Sequence, residues 1–240
     1  MTRQIFLDTE TTGMLRNSKT PSKGHRVIEI GCVEMIDRKL TNKTFHVMLN
    51  PEQEISEGAI KVHGITNEEV QDAPKFQEVC SEFLEFIKGA ELLIHNAPFD
   101  VDFLNNEFSI LRAKGGLEED IKVGDICTVT DTLQIARDKN PGKKNTLDAL
   151  CNKFGVDLSR RVKHGALLDS ELLAEVYLNL TSGQTSILDV NEYNYSLRDT
   201  SQNSASAYTL TGFDFLGDTK LEAVSKEQED AHLHYIKNIM

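Results

Sequence analysis

The chain has 240 residues, with 26 basic against 38 acidic side chains for a net charge of −12, and 39% of its residues are hydrophobic. That is enough apolar material for a packed core, which excludes wholesale disorder, and no run of 18 apolar residues is present to span a bilayer. The acidic total also excludes a simple nucleic-acid coat, which needs a surplus of Lys and Arg to neutralise phosphates.

Met1-Thr2-Arg3-Gln4 runs straight into Ile5-Phe6-Leu7, without the long apolar stretch of a secretion signal. Cys32, Cys80, Cys127 and Cys151 stand too far apart for a zinc pattern or a dense disulfide framework. Buried free thiols in a soluble cytoplasmic protein are expected.

Residues 3–9 read as a short buried strand ended by a Thr-rich turn with Gly13. Residues 27–36 form a second strand and 43–49 a third, joined by a turn at Asp37-Arg38-Lys39. Pro74 opens a helix with the stripe Phe76, Val79, Cys80, Phe83 and Ile87, stopped by Gly89. A strand at 91–95 precedes a helix near Pro98 with Val101, Leu104, Phe108 and Leu111 on one face. A final strand is placed at 121–127, and Asp131 starts a helical segment. Thr146 is the expected N-cap of a helix ending at Gly155, and a last helix runs from about Gly165 to Leu180. A meander of strands followed by alternating strands and helices predicts a mixed α/β sheet with helices on its faces.

Residues 183–219 are rich in Ser, Thr, Asn, Gln, Asp and Gly and read as a linker. Residues 220–240 form a short amphipathic segment with Leu221, Val224, Leu233, Ile236 and Ile239, too short to build a core of its own. The expected division is a catalytic domain at 1–182, a flexible linker at 183–219 and a docking helix at 220–240.

Positive charge is local. Residues 16–26 carry Arg16, Lys19, Lys23 and Arg26 with no acid, and residues 137–163 carry eight basic side chains against Asp138, Asp148 and Asp157. An acidic chain with basic stretches suits an enzyme that grips a polyanion at one place, although solvated loops explain such runs equally well.

Asp8 and Glu10 end the first strand, where they and the Thr11 hydroxyl can converge. Two carboxylates losing water together call for a cation. Asp100 falls in the first turn of the helix near Pro98, where the dipole favours an anion, and Asp102 is the better candidate for a plain helix-start acid. Asp169 shares a face with Leu172, Leu173, Val176 and Leu180, and a carboxylate on a buried stripe is costly unless paired or bound to metal. His164, beside Gly165, can swing toward the same point. Hard oxygen ligands without a Cys or His cluster predict Mg²⁺ or Mn²⁺. Two such ions about 4 Å apart activate water on a phosphodiester, and His164 suits deprotonation of that water.

Asp8–Gly13 (DTETTG), His95–Leu104 (HNAPFDVDFL) and His164–Asp169 (HGALLD) resemble the three motifs of the DEDDh exonuclease superfamily, whose fold is ribonuclease-H-like. The resemblance implies Asp8, Glu10, Asp100 and Asp169 as carboxylates for two divalent ions and His164 as general base. Together with VHGIT at 62–66 and NTLDALCNKFGVD at 145–157, the chain over about residues 3–188 is similar to the epsilon family, the proofreading subunits of bacterial DNA polymerase III. That similarity implies a 3′→5′ exonuclease that removes mispaired 3′-terminal nucleotides as 5′-monophosphates. Asp8, Glu10, Thr11, His63 and Asp169 are then the expected substrate contacts. Many members carry a Glu five positions before the VHGIT histidine, where this chain has Gly58, with Glu57 one earlier. Gln184 and Leu188 resemble the family's sliding-clamp peptide, and residues 220–240 stand where the family binds the polymerase catalytic subunit. Two other readings stand beside this one: a DEDDh exonuclease acting on RNA or general single strands, and an inactive nuclease fold serving as a scaffold.

Overall fold

The computed structural model describes residues 2–161 and 163–182. The linker, Gln184, Leu188 and the segment 220–240 lie outside the described residues.

The chain begins as a meander: β1 (Arg3–Thr11), β2 (Val27–Ile36) and β3 (Lys39–Met48) pair antiparallel. The β2–β3 turn is tight because Asp37 and Arg38 both take positive φ, 47° and 64°, which matches the twist of a two-residue hairpin. Then come α1 (Glu57–His63), α2 (Asn67–Val70) and α3 (Phe76–Ile87). The chain re-enters the sheet as β4 (Glu91–Ile94), parallel to β1, and continues into α4 (Ala97–Ala113). A single turn, α5 (Val123–Ile126), leads to β5 (Thr128–Asp131), parallel to β4. α6 (Thr132–Lys139), α7 (Leu147–Phe154) and α8 (Ala166–Thr181) complete the domain. The strand order is β3-β2-β1-β4-β5.

Period-two alternation divides β1 between two layers. Ile5 and Leu7 join Ile30, Cys32, Leu92 and Ile94 in the main core, under Phe83 and Ile87 of α3 and Phe103, Leu104 and Phe108 of α4. On the other face Phe6 meets Tyr177 of α8 edge-on, with ring centroids 5.4 Å apart. Leu172, Val176 and Leu180 of α8 pack with Ala136, Leu150 and Cys151 of α6 and α7. Helices thus cover both faces of a mixed sheet, and this is why β2 is buried almost from end to end. All four cysteines are buried and free.

Three expectations need correction. The strand placed at 121–127 is instead the turn α5, because the Lys122 and Val123 amides are taken by Asp125 and Asn105, and the strand follows at 128–131. The strand placed at 43–49 begins at Lys39. Helices α1 and α2 were not expected. They rest on polar caps, Ser56 accepting from Ala59 and a reciprocal Thr66–Glu69 box, rather than on long apolar stripes.

Candidate active site

The site gathers where β1 ends and α4 and α8 begin. Gly31 makes this approach possible: the α8 backbone at Ala166 and Leu167 lies against it, and Ser170 donates to its carbonyl oxygen at 2.9 Å. Glu29, opposite Glu10 in the sheet, accepts from the Ala166 amide at 3.1 Å and meets His46 Nε2 at 2.7 Å. These contacts fix the first turn of α8 against β2, and Asp169 stands in that turn.

The carboxylates of Asp8, Glu10, Asp100 and Asp169 stand close enough to feel one another's charge, and Glu29 is a fifth carboxylate close by. Burial first, then the neighbouring Asp100, Glu10 and Asp169, pushes the Asp8 carboxyl well above its usual range. Glu10 rises to about 8 through burial and the charges of Glu29, Asp169 and Asp100. Asp100 rises to about 7 through burial, although the Thr9 hydroxyl donates to it at 2.7 Å. Asp169 behaves oppositely: burial would raise it, but the Arg161 guanidinium holds it below the ordinary carboxylate value. The Arg161 guanidinium donates to both oxygens of Asp169, at 2.5 and 2.7 Å, and to Asp148.

Ligand atoms of Glu10, His164 and Asp169 all fall within 4.8 Å of one another. Buried like charges and a compact set of oxygen and imidazole donors fit hard divalent cations. Asp8, His164 and Asp169 line a cleft of about 740 Å³ together with Arg137 and Lys143.

His63 accepts from the Ile65 amide at Nδ1, 3.0 Å, so the neutral ring carries its proton on Nε2. That Nε2 is buried and makes no hydrogen bond of good geometry among the described residues, although the Thr11 backbone carbonyl stands near enough to pull the His63 pKa upward against burial. Burial also lowers the His63 pKa and keeps the ring neutral. The Thr11 hydroxyl donates to the Gly13 carbonyl, and Thr9 provides the hydroxyl contact to Asp100. Asp102 holds the 16–26 loop by accepting from the Ser22 amide.

The basic stretches are not uniform. Arg26 is a structural residue, paired through two nitrogens with buried Glu107. Lys139 donates to the Leu180 carbonyl and Lys153 to Asn140. Arg137, Lys143 and Lys144 are exposed and form no ion pair among the described residues. Lys143 and Lys144 sit on a loop fixed by a buried pair, Asn140 and Asn145, with the Asn145 carbonyl 2.8 Å from His95 Nε2.

Sequence reasoning missed Glu29, Thr9 and the placement of Arg161. A lone carboxylate inside the apolar run Val27–Cys32 was the available signal for Glu29.

The sequence pattern of the Exonuclease family matches residues 5–177. The DNA polymerase III subunit epsilon of Pasteurella multocida is 48% identical over 235 residues, covering 98% of this chain and 88% of that one. The Escherichia coli K12 protein of the same name is 51% identical over 188 residues, 78% of this chain and 74% of that one. Among solved structures, exonuclease X in complex with 5′ overhanging duplex DNA aligns with a TM-score of 0.55 at 25% identity, covering 76% of this chain and 94% of that one. The nuclease domain of 3′hExo, a DEDDh family member bound to rAMP, aligns with a TM-score of 0.61 at 21% identity, covering 74% of this chain and 90% of that one.

Proposed function

The chain belongs to the Exonuclease family and within it to the DNA polymerase III epsilon subunits, and from that premise we propose how its residues carry out 3′→5′ proofreading. The observation that carries the reading is the cluster of buried carboxylates with His164 at the mouth of a cleft that also exposes unpaired cations.

Asp8, Glu10, Asp100 and Asp169 would hold two divalent ions, Mg²⁺ or Mn²⁺, which fit the oxygen donors and relieve the repulsion among them. Bound there, the ions supply Lewis-acid stabilisation of the charge developing on the phosphodiester. His164, whose side chain is 44% exposed, reaches the cleft and removes the proton of the attacking water. The bond from phosphorus to the 3′ oxygen breaks, and a nucleoside 5′-monophosphate leaves. His63 Nε2–H is a directed donor for the 3′-terminal nucleotide, and Asp8, Glu10 and Asp169 frame its phosphate. Arg137, Lys143 and Lys144 attract the strand.

The similarity to the Pasteurella multocida subunit extends over 98% of this chain and so includes most of the tail. Residues 183–219 act as a tether with Gln184 and Leu188 as a clamp contact, and 220–240 dock on the polymerase catalytic subunit in the bacterial cytoplasm. A tether keeps the nuclease near the primer at an effective concentration on the order of mM. Among the described residues no helix is long and apolar enough to cross a membrane.

The test is digestion of a 3′-labelled DNA strand and of an RNA strand by the full chain with Mg²⁺, then with EDTA. Mg²⁺-dependent release of single 5′-monophosphates from DNA supports the reading, and faster release from RNA would move the substrate class. A chain ending at Ser182 should retain digestion of free strands and lose co-elution with the polymerase subunit. Retained co-elution would put docking on the nuclease domain.

A further inference from the structure

Arg161 has a place in the site that the nuclease chemistry does not use. Its side chain is 8% exposed, and it fills the corner where Asp169 and His164 meet. Nε donates to Asp169 Oδ1 at 2.5 Å. One terminal nitrogen lies 2.7 Å from Asp169 Oδ2 and 2.8 Å from His164 Nδ1. The other terminal nitrogen reaches Asp148 on α7.

A guanidinium has N–H donors and no acceptor, so at 2.8 Å the imidazole nitrogen must be the acceptor. His164 Nδ1 and Asp169 Oδ2, 3.3 Å apart, are therefore two acceptors sharing one NH₂ group rather than partners of each other. A single side chain thus occupies both oxygens of a metal carboxylate and a lone pair of the general base. Arg161 is also a cation beside the cluster, and its charge is felt at Glu10 as well as at Asp169.

We propose that Arg161 is a positioning residue whose guanidinium competes with a divalent cation for Asp169, so that loading the site draws Arg161 away and frees His164 Nδ1. The proposal rests on the metal-dependent nuclease reading. A fork of charged N–H donors on both oxygens draws charge from the carboxylate and weakens its bond to a hard cation, and two cations at this spacing repel each other. Asp148, more than half exposed and already bonded to the second terminal nitrogen, offers the guanidinium an anchor once it leaves Asp169. Before loading, the fork holds Asp169 and His164 at the geometry they need, which a lysine cannot reproduce because its ammonium lacks the planar fork.

The experiment is calorimetric titration of the full chain with Mn²⁺, without substrate, for the wild type, Arg161→Gln and Arg161→Lys, with melting temperatures in EDTA and in Mn²⁺. Arg161→Gln should bind Mn²⁺ more tightly by about tenfold, the worth of one charge-assisted hydrogen bond no longer surrendered. Arg161→Lys should show a smaller gain in the same direction. Both variants should melt lower than the wild type in EDTA and rise further on adding Mn²⁺. If Arg161→Gln does not fold, Arg161→Lys alone decides the sign. Unchanged or weaker Mn²⁺ binding in the variant measured overturns the competition and leaves the nuclease reading standing. Absence of Mn²⁺ binding to the wild type would overturn both.

Discussion

A Cβ placed on Gly31 would stand 2.2 Å from the carbonyl carbon of Ala166, so the first turn of α8 rests on bare β2 backbone. The obstacle is backbone on both sides and cannot be relieved by a rotamer change. Gly31→Ala should cost about 1–3 kcal/mol of stability, the usual range for overpacking. It should also displace Asp169 and His164 enough to lower kcat by about 10²-fold. Thermal melts and single-turnover rates check both, and wild-type turnover in this variant would remove Gly31 from the account.

Asp8 and Asp169 should respond oppositely to neutralisation. In EDTA, at any pH above the ordinary carboxylate range, Asp8→Asn should raise the melting temperature, because it removes a carboxyl whose ionisation burial and neighbouring charges disfavour. Asp169→Asn should lower it, because the buried Arg161 guanidinium loses its carboxylate. Both variants should abolish hydrolysis. A fall in stability for Asp8→Asn would contradict the repulsion argument.

The pH dependence of stability follows from the same charges. Glu10 is raised from 4.5 to about 8 and Asp100 from 3.8 to about 7. A group raised in the folded state leaves stability intact below its unfolded value and costs stability as pH climbs through the folded value. In EDTA the melting temperature should therefore decline from the ordinary carboxylate range up to about pH 8. Asp169 is lowered and acts in reverse, its contribution vanishing at the acid end. Mn²⁺ should flatten the alkaline decline, and an identical decline with and without Mn²⁺ would exclude these carboxylates as its seat.

Lys143 and Lys144 should act on the strand and leave the chemistry alone. Changing both to Glu should raise KM for an oligonucleotide and reduce the slope of log K against log salt by about two. Turnover of a p-nitrophenyl ester of thymidine 5′-monophosphate, which has no further phosphates, should stay near wild type. Equal losses on both substrates would mean that the Asn140–Asn145 loop had been disturbed instead.

Much of this was legible in the sequence, for physical reasons. Asp169 could be found because a carboxylate on the stripe of Leu172, Leu173 and Val176 conflicts with burial, and such conflicts mark sites. α3, α7 and α8 announced themselves by apolar periodicity and end signals. β5 was misplaced because a four-residue strand carries almost no pattern, and side-chain caps from Asp125 and Asn105 decided the preceding turn. Arg161 looked like one cation in a basic run, since only the fold brings it against Asp169 and makes it internal. The Thr11 hydroxyl's bond was equally illegible, because its acceptor, Gly13, lies in the irregular turn beyond the strand.

The most direct measurement is the rate of 3′-terminal nucleotide release, with Mg²⁺, from a primer–template ending in a mispair and from the same duplex fully paired. A single nucleotide must leave the stack to reach Asp8, Asp169 and His164, so the mispaired end, which is easier to unpair, should be digested faster. His164→Ala should slow both by about 10²–10⁴-fold, the usual worth of a general base. Equal rates on paired and mispaired ends, or full activity without His164, would contradict the proofreading account.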